Sequence, residues 1–258
     1  MNTLRTTLIQ THLHWEDPTA NRAHFESLIK QMDKKTDLIV LPEMFTTGFT
    51  MNAKGMAEAT NGPTLLWLQA IAKKHRCAIT GSIIVKDNGL YYNRLYFVRP
   101  DGSYGQYDKK HTFTLAGEHK TYTAGRVKTT INYKGWKICP LICYDLRFPV
   151  WARNTEGYHL LLYVANWPKK RIHAWDVLLK ARAIENMSYC IGVNRTGIDD
   201  NGHEYPGHSA GYDVLGKKLT ASHGKSAFVE TLPLSKDHIG QHRERLQFLK
   251  DRDTFTLT

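Results

Sequence analysis

Apolar residues recur at helical spacing in three stretches of the chain and cluster into short runs elsewhere. Phe25, Leu28, Ile29 and Met32 fall on one helical face after a candidate cap at Thr19. Leu65, Leu68, Ile71 and Ala72 repeat the pattern after Gly62-Pro63, and Trp175, Leu178, Leu179 and Arg182 mark a third helix ahead of Asn186. Between them lie strand-like runs at the start of the chain and at 38–41, 77–85, 92–98, 127–133, 136–142, 159–164, 189–194, 208–214 and 226–231. Asp87-Asn88-Gly89 is a strong hairpin turn between Ile83-Ile84-Val85 and Tyr91-Tyr92. So many strands with so few helices predict an α/β protein in which two sheets pack face to face, each covered outside by helices.

The chain of 258 residues shows no Pro/Gly/Ser-rich linker, low-complexity tract or fixed-period repeat, so one domain over residues 1–258 is expected. Its start lacks the unbroken apolar core of a signal peptide and no later run reaches membrane-spanning length, which predicts a cytoplasmic protein without a membrane partner. The formal net charge of +11 raises the question of nucleic acid. The basic residues are spread along the sequence, however, without an aromatic-interleaved RNA-binding signature or a helix-turn-helix pattern. A positive field suits attraction of a small dicarboxylate better than nucleic acid. Four cysteines in a chain of this length are expected to be reduced, and thirteen scattered histidines form no ligand-spaced cluster with them, so no metal or cofactor is expected.

Candidate chemistry changes the picture. Cys143 ends the apolar run Trp136-Lys137-Ile138-Cys139-Pro140-Leu141-Ile142 and opens the polar turn Tyr144-Asp145-Leu146-Arg147-Phe148-Pro149. A thiol on that elbow sits at the mouth of a sheet, with the N–H groups of the following turn beside it. A lone cysteine is more often a buried small hydrophobe, and what argues otherwise here is its company. Glu43 follows Asp37-Leu38-Ile39-Val40-Leu41 and also lies at a strand end, where Pro42, Met44, Phe45 and Phe49 predict an apolar setting suited to a general base. Between the two sites, Asp108-Lys109-Lys110-His111 supplies an ammonium, although such runs are usually solvated basic turns. A carboxylate, an ammonium and a thiol, each beside a strand end, form a set able to attack a carbonyl or nitrile carbon.

These segments resemble the nitrilase superfamily of carbon–nitrogen hydrolases. Glu43 in Leu-Pro-Glu-Met-Phe, Lys109 in Asp-Lys-Lys-His and Cys143 in Cys-Tyr-Asp-Leu-Arg-Phe-Pro are similar to that family's Glu-Lys-Cys triad. Glu118 ahead of Ala124-Gly125 is similar to its second glutamate. By composition alone Glu118-His119-Lys120 is an ordinary exposed loop; the resemblance implies that Glu118 holds Lys109 and the substrate amide. Ala165-Asn166-Trp167-Pro168 and the cysteine segment look most like the omega-amidase branch, which deamidates 2-oxoglutaramate and related dicarboxylate amides. The resemblance implies a four-layer αββα sandwich, catalysis without metal or organic cofactor, and a homodimer formed through helices and the C-terminal tail. A nitrilase or N-carbamoyl amidohydrolase would use the same triad, and a catalytically silent binding protein would not need it intact.

For the substrate, Phe45, Phe113, Tyr144 and Trp167 are candidate aromatic walls. Asn166, at a strand end, is placed either to contact substrate or to cap the next turn. An acid-bearing substrate needs a cation, and Arg147, Arg171 and Arg195 are the candidates, with Arg147 preferred as a bridge to Asp145.

Overall fold

The computed structural model describes residues 2–32, 35–221 and 226–256. In chain order the elements are β1 (Thr3–Gln10), α1 (Pro18–Lys30), β2 (Leu38–Val40), α2 (Ala53–Met56), β3 (Glu58–Ala59), α3 (Pro63–His75), β4 (Ala78–Asp87), β5 (Leu90–Val98) and β6 (Tyr104–Asp108). There follow α4 (Glu118–Thr121), β7 (Ile131–Tyr133), β8 (Trp136–Ile142), α5 (Pro149–Ala152), β9 (Leu160–Ala165), α6 (Ile172–Asn186) and β10 (Tyr189–Asn194). The chain closes with β11 (Thr196–Ile198), β12 (Glu204–Pro206), β13 (Ala210–Tyr212), β14 (Phe228–Ser235) and α7 (Lys236–Leu246).

Two sheets carry the fold. The first runs β14-β1-β2-β4-β5-β6, with β3 paired to β4; the second runs β13-β10-β9-β8-β7, with β8, β9 and β10 parallel. Alternation along the strands explains the layers. In the first sheet Leu8, Leu38 and Val40 join the core shared with Leu141, Leu161 and Ile191 of the second sheet. Their neighbours Ile9, Ile39 and Leu41 point the other way, onto Phe25 and Ile29 of α1 and Leu65, Leu68 and Ile71 of α3. On the far side of the second sheet, α6 lies so close to β10 that a Cβ on Gly192 would come within 2.6 Å of Leu179 and Trp175. The layers are therefore helix, sheet, sheet, helix, as expected.

Details differ from the pattern reading. The cap of α1 is Asp17, whose carboxylate accepts from the Ala20 N–H at 2.9 Å, with Pro18 rather than Thr19 opening the helix; Met32 lies beyond its end. The strand expected over 127–133 shrinks to Ile131–Tyr133: Val127 is 71% exposed and residues 128–130 are only partly buried, so no apolar run precedes Ile131. Strand β6 and helix α7 were not expected: β6 buries only Tyr107, and α7 only Ile239, so neither shows a clear apolar period. The Asn88-Gly89 turn forms as read, with φ of 47° and 81°, the left-handed pair a two-residue type I′ hairpin requires.

Candidate active site

Three strand ends and one short helix converge beside a cavity of about 1200 Å³. Glu43 leaves β2 in a turn anchored to β4: Ser82 accepts the N–H groups of Met44, at 2.9 Å through its hydroxyl, and of Phe45, at 3.1 Å through its carbonyl. Met44 adopts φ 41°, a left-handed conformation uncommon for a residue with a side chain. Lys109 follows β6, its N–H donating to the Asn93 carbonyl of β5 at 3.0 Å and its carbonyl accepting from Gly125 at 2.8 Å. Gly125 is obligatory there, since a Cβ would lie 2.1 Å from the Asp108 carbonyl oxygen. Glu118 opens α4, just after the left-handed Gly117.

Cys143 ends β8 with φ 44°, so the nucleophile candidate is itself the strained residue of the elbow. The turn after it is pinned by Asp145, which accepts from the Tyr107 hydroxyl at 2.8 Å and from the N–H groups of Ile142 and His111, each at 3.0 Å; His111 Nδ1 lies 2.7 Å away. Asp145 is thus fully engaged without Arg147. The expected Arg147–Asp145 bridge is replaced: Arg147 lines the cavity with its guanidinium 5.0 Å from the centre of the Trp167 ring.

Beneath the cavity lies a sealed ionic group. Lys109 Nζ donates to Glu43 Oε1 at 2.8 Å and to the two oxygens of Glu118 at 3.1 and 3.0 Å, with all three residues almost wholly buried. Glu43 Oε1 also accepts from Asn93 Nδ2 at 2.8 Å, and Oε2 from the Asn166 N–H at 2.8 Å. The setting of Glu43 is therefore polar rather than the apolar one its flanks predict, because Met44 and Phe45 turn into other cores. Burial pulls the Lys109 ammonium towards neutrality, but the carboxylates of Glu118 and Glu43 outweigh it and raise the lysine above its ordinary range. Burial, helped by the negative charge of Glu43 and opposed by Lys109, raises Glu118. The Cys143 thiol is pushed well above its ordinary value, first by burial and then by the negative charge of Glu43, and its sulfur lies 4.0 Å from the Asn166 carbonyl oxygen. At neutral pH the sulfur therefore rests as a thiol with a carboxylate beside it.

The expected site residues divide. Cys143, Lys109, Phe113, Tyr144, Asn166, Trp167 and Arg171 line the cavity, with Phe113 and Tyr144 in edge contact at 4.9 Å and Arg171 4.9 Å from the Phe113 ring centre. Phe45 does not: it is fully buried on the opposite face of the sheet, between Phe25 and Trp67. Phe49, four residues on, takes the wall position instead, 5.2 Å from Lys109 Nζ. Arg195 is also withdrawn from the cavity. It is 1% exposed, donates to the carbonyls of Thr196 and Leu13, and lies under the Tyr205 ring at 4.7 Å, so it supports a wall residue without reaching the space itself. Asn93, which bonds Glu43, was not singled out, since an Asn inside an apolar strand run carries no spacing signal. Trp15 and Tyr205 line the cavity from parts of the chain with no motif.

Residues 5–231 match the family model described as carbon-nitrogen hydrolase. The chain belongs to the carbon–nitrogen hydrolase family. This hydrolase is 45% identical to the omega-amidase YafV of Yersinia enterocolitica, with both chains covered completely. It is 34% identical to the 2-oxoglutaramate amidase of Bacillus subtilis strain 168 over 94% of this chain and 95% of that one. Among solved structures, XC1258 of Xanthomonas campestris, a CN-hydrolase superfamily protein with an arsenic adduct in its active site, superposes with a TM-score of 0.97 at 40% identity, each chain covered in full. No helix among the described residues of this hydrolase is long and apolar enough to cross a membrane.

Proposed function

We propose that the protein is an omega-amidase, a single-domain hydrolase that converts monoamides of small dicarboxylic acids, such as 2-oxoglutaramate or succinamate, into the acid and ammonia. The observation that carries the reading is the Glu43–Lys109 contact at 2.8 Å beside the half-buried thiol of Cys143, whose sulfur lies 4.0 Å from the Asn166 carbonyl oxygen. Because the thiol is neutral at rest, its activation requires a base, and Glu43 takes that proton as sulfur bonds to the amide carbon. The carbonyl oxygen becomes negative. It faces Lys109 and the N–H of Tyr144, which lies in the first turn after Cys143, where N–H groups lack partners within the turn. A well-aimed donor of this kind is worth about 3 kcal/mol in the transition state. Glu118 holds Lys109 in place by a two-oxygen contact, so the ammonium stays charged. The carbon–nitrogen bond then breaks, nitrogen leaves as ammonia with the proton from Glu43, and a thioester remains on Cys143. Water attacks that thioester, giving one proton to Glu43, which returns it to the departing sulfur. The residues named need no metal or organic cofactor for these steps.

The far end of the substrate meets cations. Arg147 over Trp167 and Arg171 over Phe113 both face the cavity and can pair with a carboxylate. Apolar side chains left exposed on α5 (Val150), on α6 (Val177, Ile184) and at the C-terminal end (Phe248, Phe255) support pairing of two copies through helices and tail. The free thiols of Cys77, Cys139 and Cys190 suit a reducing, cytoplasmic compartment. The deciding experiment is ammonia release across succinamate, 2-oxoglutaramate, butyramide, aliphatic nitriles and N-carbamoyl amino acids. Dicarboxylate monoamides should lead by about a hundredfold in kcat/KM, the worth of one charge-assisted contact of about 2–3 kcal/mol. Equal rates for succinamate and butyramide would refute the carboxylate anchor, and a lead for nitriles or ureido acids would refute the amidase reading.

A further inference from the structure

Away from the cavity floor, the connection between β1 and α1 sets two histidines that are near neighbours in sequence beside a third on α1. His12 and His14 stand two residues apart on the connection, and His24 lies in the second turn of α1; one ring nitrogen from each lies within 4.8 Å of the others. The ring centres are 4.5 Å apart for His12 and His24, 5.1 Å for His12 and His14, and 5.8 Å for His14 and His24. We propose that His12, His14 and His24 form a binding site for a late first-row divalent cation of the zinc class, with solvent completing the coordination.

Several features prepare the rings for this role. Three imidazoles are a donor set suited to zinc, copper or nickel, and an open fourth position is available because His12 and His14 are exposed. The backbone that carries them is held: His12 pairs with Thr196 in a parallel bridge, and Asn21 of α1 accepts from the His14 N–H at 2.9 Å and donates to its carbonyl at 2.6 Å. His24 Nε2 lies 2.8 Å from the Thr11 hydroxyl, the kind of outer partner that orients a metal-binding ring. Tetrahedral zinc with bonds of about 2.0–2.1 Å sets nitrogens about 3.3 Å apart, so ring nitrogens within 4.8 Å of one another must close by at most roughly 1.5 Å, an adjustment the exposed His12 and His14 can make. The cation would tie the β1–α1 connection to α1 immediately before Trp15 and Glu16, which stand on the cavity rim.

The test uses the full chain and Zn²⁺ or Co²⁺ alone. Calorimetry should find one Zn²⁺ per chain, a higher Tm with Zn²⁺, and visible absorption bands of tetrahedral Co²⁺ without the charge-transfer band of a thiolate ligand. Because the active-site thiol is a competing ligand, Cys143→Ser serves as the reference background and should retain binding. In that background His14→Gln and His24→Gln should each weaken Zn²⁺ by at least about tenfold, since losing even an outer partner costs that much. A metal-free Tm near that of the parent shows that the variants fold. Binding that vanishes with Cys143→Ser, or that survives unchanged in both histidine variants, overturns the site.

Discussion

The two sheets meet at the cavity but bring it different things. The first sheet supplies charge already paired and almost wholly buried, Glu43 after β2, Lys109 after β6 and Glu118 just beyond, with the neutral Asn93 of β5 donating to Glu43. The second supplies neutral polar atoms at successive ends of parallel strands, the Cys143 thiol after β8 and the Asn166 N–H after β9, and holds its cations, Arg147 and Arg171, outward at the cavity wall. The division has a physical logic. Buried charges must be compensated locally, so they occur as a closed set on one side. A nucleophile and a selectivity filter must be reached by substrate, so they occupy the open ends of the other. Damage to the first sheet's group should therefore cost stability as well as rate, whereas damage to the second should leave the fold nearly intact.

The largest effect expected is on the second side. Cys143→Ala should abolish ammonia release while changing Tm little, because removing a half-buried sulfur leaves a small cavity. Cys143→Ser should behave alike. Measurable turnover in the alanine variant would remove the covalent route, and intact-mass spectrometry on slow substrates should place an acyl group on Cys143 alone.

On the first side, Lys109→Met should lose both activity and about 3–5 kcal/mol of stability, because it leaves Glu43 and Glu118 as adjacent buried carboxylates. Denaturant unfolding at several pH values reads this directly. Part of the loss should be recovered on acidification, as a carboxylate takes up a proton in the folded variant before the unfolded one. Wild-type stability in Lys109→Met would erase the contrast between the sheets.

Asn93→Ala should give a smaller change, about ten- to a hundredfold in kcat/KM, from loss of the 2.8 Å hydrogen bond to the Glu43 carboxylate worth about 1.5–3 kcal/mol. If steady-state kinetics instead showed a change only in KM, Asn93 would be acting on substrate rather than on the base. Arg147→Met and Arg171→Met divide the cavity wall: the true anchor should narrow the succinamate-to-butyramide preference towards unity with the butyramide rate held, and the other arginine should leave it within a few-fold.

The smallest effect lies at the opposite end of the second sheet. His159, just before β9, is lowered from 6.5 to about 4, first by burial and then by the charges of Arg243, Lys236 and Lys137, and its Nδ1 accepts the Lys137 N–H at 2.9 Å. The unfolded chain thus protonates before the folded one as pH falls. The stability His159 contributes is present above 6.5 and lost as pH drops towards about 4. Tm profiles of wild type and His159→Gln should diverge in slope across that window and run parallel above it; an unchanged slope in the variant would assign the acid sensitivity elsewhere.

Much of this was legible in the sequence because burial leaves a periodic trace. The runs at 38–41, 136–142, 159–164 and 189–194 became β2, β8, β9 and β10, since strands buried on both faces are continuously apolar, and Glu43, Cys143 and Asn166 stand out as the polar residues ending them. Residues with little to bury left little trace, as β6 and α7 show. Alternation decided the rest only in three dimensions. Phe45 and Phe49 look interchangeable as text, yet one faces the helices and the other the cavity; Arg195 and Arg171 look equally available, yet one is folded beneath Tyr205. The chain by itself determined which residue types end which strands, through local burial and turn chemistry. Only the tertiary structure decided which of those ends share a cavity, turned Glu118 from a loop carboxylate into a buried partner of Lys109, and brought His24 to His12 and His14, because contacts between distant segments carry no local period.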